Sequence, residues 1–216
     1  MKREAGEPSF PIWLLGDSEP RNWNMVLDTP LDPRHPARHN IWTPVLDVMQ
    51  DRLFRERQAR MNTKPLFIRN AIGDPQFKPA GNVLQWPLPV EDEIQHLHRL
   101  LEKQHPKLIL SFGAFAFEFG RRALNEAEPH PYGYWSARQL GNEFHRRCRQ
   151  VDVEQTNLLP LLHATIARGR FIQSHEQFCG DQPGANYFEQ VGNALADVII
   201  SRHDQLSIWI RPDAKL

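Results

Sequence analysis

Pro11-Ile-Trp-Leu-Leu-Gly-Asp-Ser-Glu-Pro20 is a short apolar run that ends abruptly in charge. Ile12 to Leu15 are apolar, Gly16 stops the run, and the carboxylates Asp17 and Glu19 follow before Pro20. A run of this length suits a strand buried on both faces, as in parallel sheets, and glycine supplies the turn out of it. In open parallel sheets, ligands collect at the carboxyl ends of the strands, where Asp17, Ser18 and Glu19 would lie. The same residues also suit an ordinary strand-to-loop turn whose acids face water.

Three further segments repeat this plan. Pro65-Leu-Phe-Ile-Arg-Asn70 ends in an amide, Pro106-Lys-Leu-Ile-Leu-Ser-Phe-Gly113 closes on a glycine, and Asn157-Leu-Leu-Pro-Leu-Leu162 delivers His163. Helical stripes separate them. Thr43 reads as an N-cap with Pro44 in the first helical position, and Val45, Leu46, Val48, Met49 and Leu53 continue a helix to about Arg60. Acids at Glu91 to Glu93 open a second helix that carries Ile94, Leu97, Leu100 and Leu101 on one face. Further helices are expected over Ala114 to Leu124, Ser136 to Arg149 and Ala185 to Ser201, with Leu206 to Ile210 either a last strand or a docked tail. The fold expected is α/β, a three-layer α/β/α sandwich around a central parallel four-stranded sheet, formed as a single domain over residues 1–216.

Composition narrows the function. With 216 residues, 40% hydrophobic and 24% charged, the chain is globular and long enough for one sizeable core. Lys+Arg and Asp+Glu both number 26, so any DNA contact must come from a local patch rather than bulk charge. Arg146, Arg147 and Arg149 end a helix, where cations complement the dipole or meet phosphate. His96 and His98 point to different sides of their helix and are expected on the surface. Cys148 and Cys179 are too few for a disulfide framework or a four-cysteine metal site. His35 and His39 occupy a proline-rich loop without a thiolate or third ligand nearby, so a solvated or ligand-facing loop is expected there and no metal. No run approaches the roughly 18 to 20 apolar residues of a membrane span. The start, Met1 to Glu7, lacks the apolar segment of a signal peptide. A soluble cytoplasmic protein is expected.

In order and content the segments resemble the uracil-DNA glycosylase superfamily over nearly the whole chain. Leu14-Leu-Gly-Asp-Ser-Glu-Pro20 is similar to the first motif of that family, a strand ending in Gly with an acidic or amide residue and Pro. Phe67-Ile-Arg-Asn70 resembles the strand whose terminal Asn reads the base. Pro87 to Leu101, with Pro106-Lys-Leu-Ile-Leu-Ser-Phe-Gly-Ala-Phe-Ala116, looks like the acidic helix, Pro-Lys strand and Gly-x-x-Ala of the family. Leu159-Pro-Leu-Leu-His163 looks like the strand that delivers the leaving-group histidine. Two departures stand out. Asp17-Ser-Glu-Pro20 offers either a shifted Asp or a Glu directly before the proline, and Ala164-Thr165 replaces the Pro-Ser that usually follows the histidine.

The resemblance implies a hydrolase that cleaves the N-glycosidic bond of uracil or another damaged base in DNA. Such cleavage needs stabilisation of a cationic sugar and of an anionic leaving base. Asp17 or Glu19 would steady the cation and orient a water. His163 would donate to the leaving base. Asn70, both donor and acceptor, would read one edge of the base. Trp23, Trp42 and Phe10 are candidates for the aromatic platform under a flipped base. Arg168 and Arg170 would approach the DNA backbone. No cofactor is expected, and two cysteines cannot hold the iron–sulfur cluster found in some branches. The alternatives are a catalytically silent protein of the same fold that binds nucleic acid, a nucleotide or a protein partner, and an enzyme acting on another nucleoside-like molecule.

Overall fold

The computed structural model describes residues 4–18, 31–34, 38–126, 128–163 and 171–210. Five strands, β1 (Glu4–Ala5), β2 (Ile12–Gly16), β3 (Phe67–Asn70), β4 (Leu108–Phe112) and β5 (Asn157–Leu161), form one sheet in the order β1-β3-β2-β4-β5. Strands β2 to β5 are parallel, which suits the buried apolar runs of β2 and β4 in particular, and β1 adds antiparallel to β3. The sheet therefore has one strand more than expected. Two residues are too few to show a periodicity in sequence. What holds β1 is the buried Arg69 of β3, which donates to Glu4 at 2.5 Å and to Glu93 at 3.1 Å. Pro160 sits in β5 at the opposite edge, where a strand needs only one neighbour and a missing N–H is tolerated.

Helices α1 (Thr43–Arg57), α2 (Leu88–Gln104), α3 (Ala114–Ala123), α4 (Ala137–Arg149), α5 (Phe171–Phe178) and α6 (Tyr187–Ile200) cover the sheet. Helices α1 and α6 pack on each other over the face that carries Ile12, Leu108 and Leu110. They approach closely because Gly192 presents no side chain to Val48. Helix α3 covers the other face, where Gly120 lies against Leu15 and Leu158. The α/β sandwich is thus present. No helix among the described residues is long and apolar enough to cross a membrane.

Local details depart from the sequence pattern at helix ends. Trp42 is already helical, and a five-residue π-helical turn, Arg38–Trp42, leads into α1. Thr43 is therefore not the N-cap, and its hydroxyl donates instead to the Arg38 carbonyl at 2.8 Å. Helix α1 stops at Arg57, short of Arg60, because Gln58 takes a left-handed φ of 52°. Of the two readings of Leu206 to Ile210, the docked tail is observed: Leu206 and Ile208 are buried and Trp209 makes a single bridge to Met61. His98 is half-buried rather than at the surface, since its Nδ1 lies 2.9 Å from the Ala123 carbonyl.

A buried carboxylate, Glu118, ties α3 to the segment before α4. It accepts from Trp135 Nε1 at 2.7 Å, His130 N at 2.8 Å, Arg121 Nη1 at 2.9 Å and Arg122 Nε at 3.2 Å. Arg121 continues to Glu126, and Arg147 of α4 pairs with Glu126 and Glu143. Burial pushes the Glu126 carboxyl up, but hydrogen bonds and charge from Arg147 and Arg121 outweigh it and hold it below its ordinary value. The stability that this pair contributes is present above the ordinary carboxylate range and lost as pH falls through the lowered folded value. Replacing Glu118 by Ala leaves two arginines and two N–H groups without their acceptor. Glu118→Ala is expected to cost about 3–5 kcal/mol in denaturant unfolding. A loss under about 1 kcal/mol would show that the network is not what holds α3 to this segment.

Candidate functional site

The parallel register brings the strand ends to one edge of the sheet. Gly16 of β2 pairs with Asn70 of β3, and Phe112 of β4 pairs with Leu161 of β5. The pairing runs on past the strands: Ala71 N donates to Gly16 O at 2.9 Å, Ile72 N to Asp17 O at 3.2 Å, and Gly113 N to Leu161 O at 2.8 Å. Two glycines make room for side chains at this edge. A Cβ on Gly16 would run into Asn70 Oδ1, so the amide lies directly over the glycine. Gly113 has a φ of +91°, and a Cβ there would come within 2.6 Å of His163 Cβ. Backbone conformation and close approach both require glycine at position 113.

Asp17 is the centre of the cluster, with only 8% of its surface exposed. Its Oδ2 lies 2.5 Å from Lys78 Nζ and 3.9 Å from His163 Nε2. Its Oδ1 is buried and has no hydrogen-bond partner among the described residues. A buried carboxylate oxygen without a donor is costly, and it marks a place where a donor from a ligand or water would be stabilised. Asp17 and His163, proposed from separate stretches of sequence, therefore meet at the ends of β2 and β5, and Asn70 lies over Gly16 at the neighbouring end of β3.

Lys78 escaped the sequence reading. It follows the short 3₁₀ turn Pro75–Phe77, whose start is fixed by Asp74 Oδ1 accepting from Gln76 N at 2.8 Å. Its ammonium sits 5.0 Å from the Phe115 ring and 5.3 Å from the Tyr132 ring. The available signal was slight. Lys78 is the lone cation in the loop that leaves the strand ending in Asn70. Tyr187 was missed too. Its hydroxyl accepts from Leu162 N at 3.0 Å and anchors the backbone immediately before His163. Burial pushes the Tyr187 phenol up, which keeps it protonated.

Other candidates fall elsewhere. Trp42 is buried and meets Phe112 edge-on at 6.1 Å, in the core under α1, and Phe10 is also core. Neither offers a face on which a base could stack. Glu19, Trp23, His35, Arg168 and Arg170 lie outside the described residues. His39 has its Nε2 2.7 Å from the Pro33 carbonyl. Arg146 and Arg147 pair with Glu143, and Arg147 also with Glu126, so much of the basic helix end is neutralised within the protein. Among the described residues no three His, Cys, Asp or Glu side chains are placed to hold a metal ion. Burial pushes the Cys148 thiol up to about 12 and the Cys179 thiol up to about 11, so neither is a thiolate nucleophile near neutral pH.

Comparison of the chain with protein-family models gives no match, and comparison with curated proteins gives none. Gly113→Ala should move the imidazole of His163 and destabilise the fold by about 1–3 kcal/mol, because it adds a left-handed strain to the clash. Thermal unfolding and the His163 ring resonances in NMR measure the two effects. Unchanged resonances would show that Gly113 does not set the position of the histidine.

Proposed function

We propose that the strand-end cluster hydrolyses the N-glycosidic bond of uracil or another damaged base in DNA, as the resemblance to uracil-DNA glycosylases implies. The observation that supports this most is the meeting of Asp17 and His163, with Nε2 3.9 Å from Oδ2, beside the strand end that carries Asn70. In this reading Asp17 faces the sugar. Its charge stabilises the oxocarbenium-like transition state, and its free oxygen orients the attacking water. The bond from C1′ to the base nitrogen breaks with both electrons leaving on the base. His163 donates a hydrogen bond to that developing anion, and water forms the new bond at C1′ while its proton passes to Asp17, which gives it up to solvent or to the released base. Asn70 selects the base edge through its paired donor and acceptor. A target base must leave the duplex stack to reach the sheet edge. Arg168 and Arg170, in the segment that follows His163, would meet the phosphates, and Trp23 is the remaining sequence candidate for the stacking platform.

A second reading is favoured by one observation. The short ion pair with Lys78 already neutralises Asp17, which suits a catalytically silent relative that binds nucleic acid, a nucleotide or a protein partner. The equal totals of 26 acidic and 26 basic residues also imply modest nonspecific DNA affinity. Release of uracil from a uracil-containing oligonucleotide separates the readings. The glycosylase reading expects release by the wild-type protein, with Asp17→Asn and His163→Ala each slower by about 10²–10⁴-fold. No release by a folded wild-type protein, together with retained oligonucleotide binding in fluorescence anisotropy, favours the silent relative.

A further inference from the structure

β5 is the last strand of the sheet, so one side of its backbone has no neighbouring strand. Asn157 N donates to Lys107 O at 3.1 Å, and Gly113 N donates to Leu161 O at 2.8 Å, both across to β4 or its flanks. Backbone groups alternate sides along a strand, so those of Leu158, Pro160 and Leu162 turn to the open edge. On that edge Arg147 of α4 donates to the Leu158 carbonyl at 3.2 Å, and Pro160 has no N–H to leave unpaired. Leu162 N donates to the Tyr187 hydroxyl at 3.0 Å in a buried hydrogen bond. The tyrosine comes from α6, and its ring packs on His175, Phe178 and Phe188 at centroid distances of 4.9, 5.0 and 5.3 Å. The hydroxyl is therefore a fixed acceptor, brought from outside the sheet to the amide one residue before His163.

His163 itself lies beyond the ladder, since β5 ends at Leu161. On the β4 side Gly113 leaves room for its Cβ, and its Nε2 comes to 3.9 Å from Asp17 Oδ2. Room alone does not hold a side chain. A buried hydrogen bond at the preceding amide fixes the backbone from which the imidazole departs.

We infer that Tyr187 is a positioning residue of the site, whose hydroxyl holds the Leu162 amide and so sets where the His163 imidazole stands against Asp17. The inference rests on reading the cluster as a glycosidic-bond hydrolase, and it gives α6 a part in that chemistry. Tyr187 touches no reacting atom. Its hydroxyl governs the aim of the imidazole at the leaving base, so its removal slows the chemical step and leaves base binding through Asn70 in place.

Tyr187→Phe keeps the ring among its aromatic neighbours and removes only the acceptor. Uracil release should show kcat lower by about 10- to 100-fold, with KM changed less than about threefold. In NMR the His163 ring resonances should move without any substrate present. Leu195→Ala, on the same helix but in the core under α1, is the control for stability alone. It should lower the unfolding temperature at least as much, and leave kcat and the His163 resonances as in wild type. Unmoved His163 resonances in Tyr187→Phe overturn the inference, even where wild type is active. So does an equal loss of kcat in Leu195→Ala. Moved resonances in a protein that releases no uracil sustain the placement of His163 by Tyr187 and count against the glycosidic reading instead. Should Tyr187→Phe fail to fold, hydrogen exchange in the wild-type protein decides. A protected Leu162 amide supports the inference, and one that exchanges like an unprotected amide overturns it.

Discussion

Slipping any one of the four parallel strands by a single residue would turn its side chains to the opposite face of the sheet. Both faces of Ile12 to Leu15 and Leu108 to Phe112 are packed against helices, so a slip would drive side chains of the wrong size into filled space, as at Gly120, which lies against Leu15 and Leu158. Register is therefore set by close packing, and the strand ends inherit it. Gly16 lies level with Asn70, and Phe112 lies level with Leu161. Everything at the sheet edge, from the amide over Gly16 to the histidine against Gly113, follows from that alignment. The helices matter to the site chiefly because they keep the strands dry.

Two buried carboxylates show how the protein treats charge in different places. Glu118 accepts hydrogen bonds from four donors, two on α3 and two on the segment before α4, and has no oxygen left over. Such a saturated network fixes geometry and leaves nothing for a ligand. Asp17 is nearly as buried, yet one oxygen is held by Lys78 and the other has no partner among the described residues. The contrast separates a structural acid from a candidate functional one on hydrogen bonding alone. Arg69 serves the fold through its two acidic partners, Glu4 and Glu93, which pin the added strand β1 and α2 to the sheet.

Legibility in the sequence followed the length and regularity of each signal. The four parallel strands were readable because each is an apolar run cut off by a glycine or a polar residue. Asp17, Asn70 and His163 were readable as candidates because they stand where those runs stop. Strand β1 was not readable, since two residues carry no period and its place depends on the distant Arg69. The start of α1 misled because Thr-Pro is a common helix opening, whereas here a π-helical turn already occupies the preceding residues. Trp42 shows the limit of reading aromatics from sequence. A tryptophan in a loop-rich stretch suits a stacking platform or a core anchor equally, and only packing against Phe112 decides for the core.

The chain by itself determined the alternation of buried strands and amphipathic helices, and hence an α/β sandwich with polar residues at its strand ends. Those are properties of local pattern, which needs only neighbours in sequence. The sequence could not determine which charges meet. Lys78 stands 61 residues from Asp17, and His163 lies on another strand again. Their meeting depends on strand order, on register and on the path of the loop after β3, none of which is written in any local stretch. Gly16-Asp17 announced a turn that could equally have faced water. Tertiary structure buried the carboxylate, gave one oxygen a lysine and left the other without a hydrogen-bond partner among the described residues.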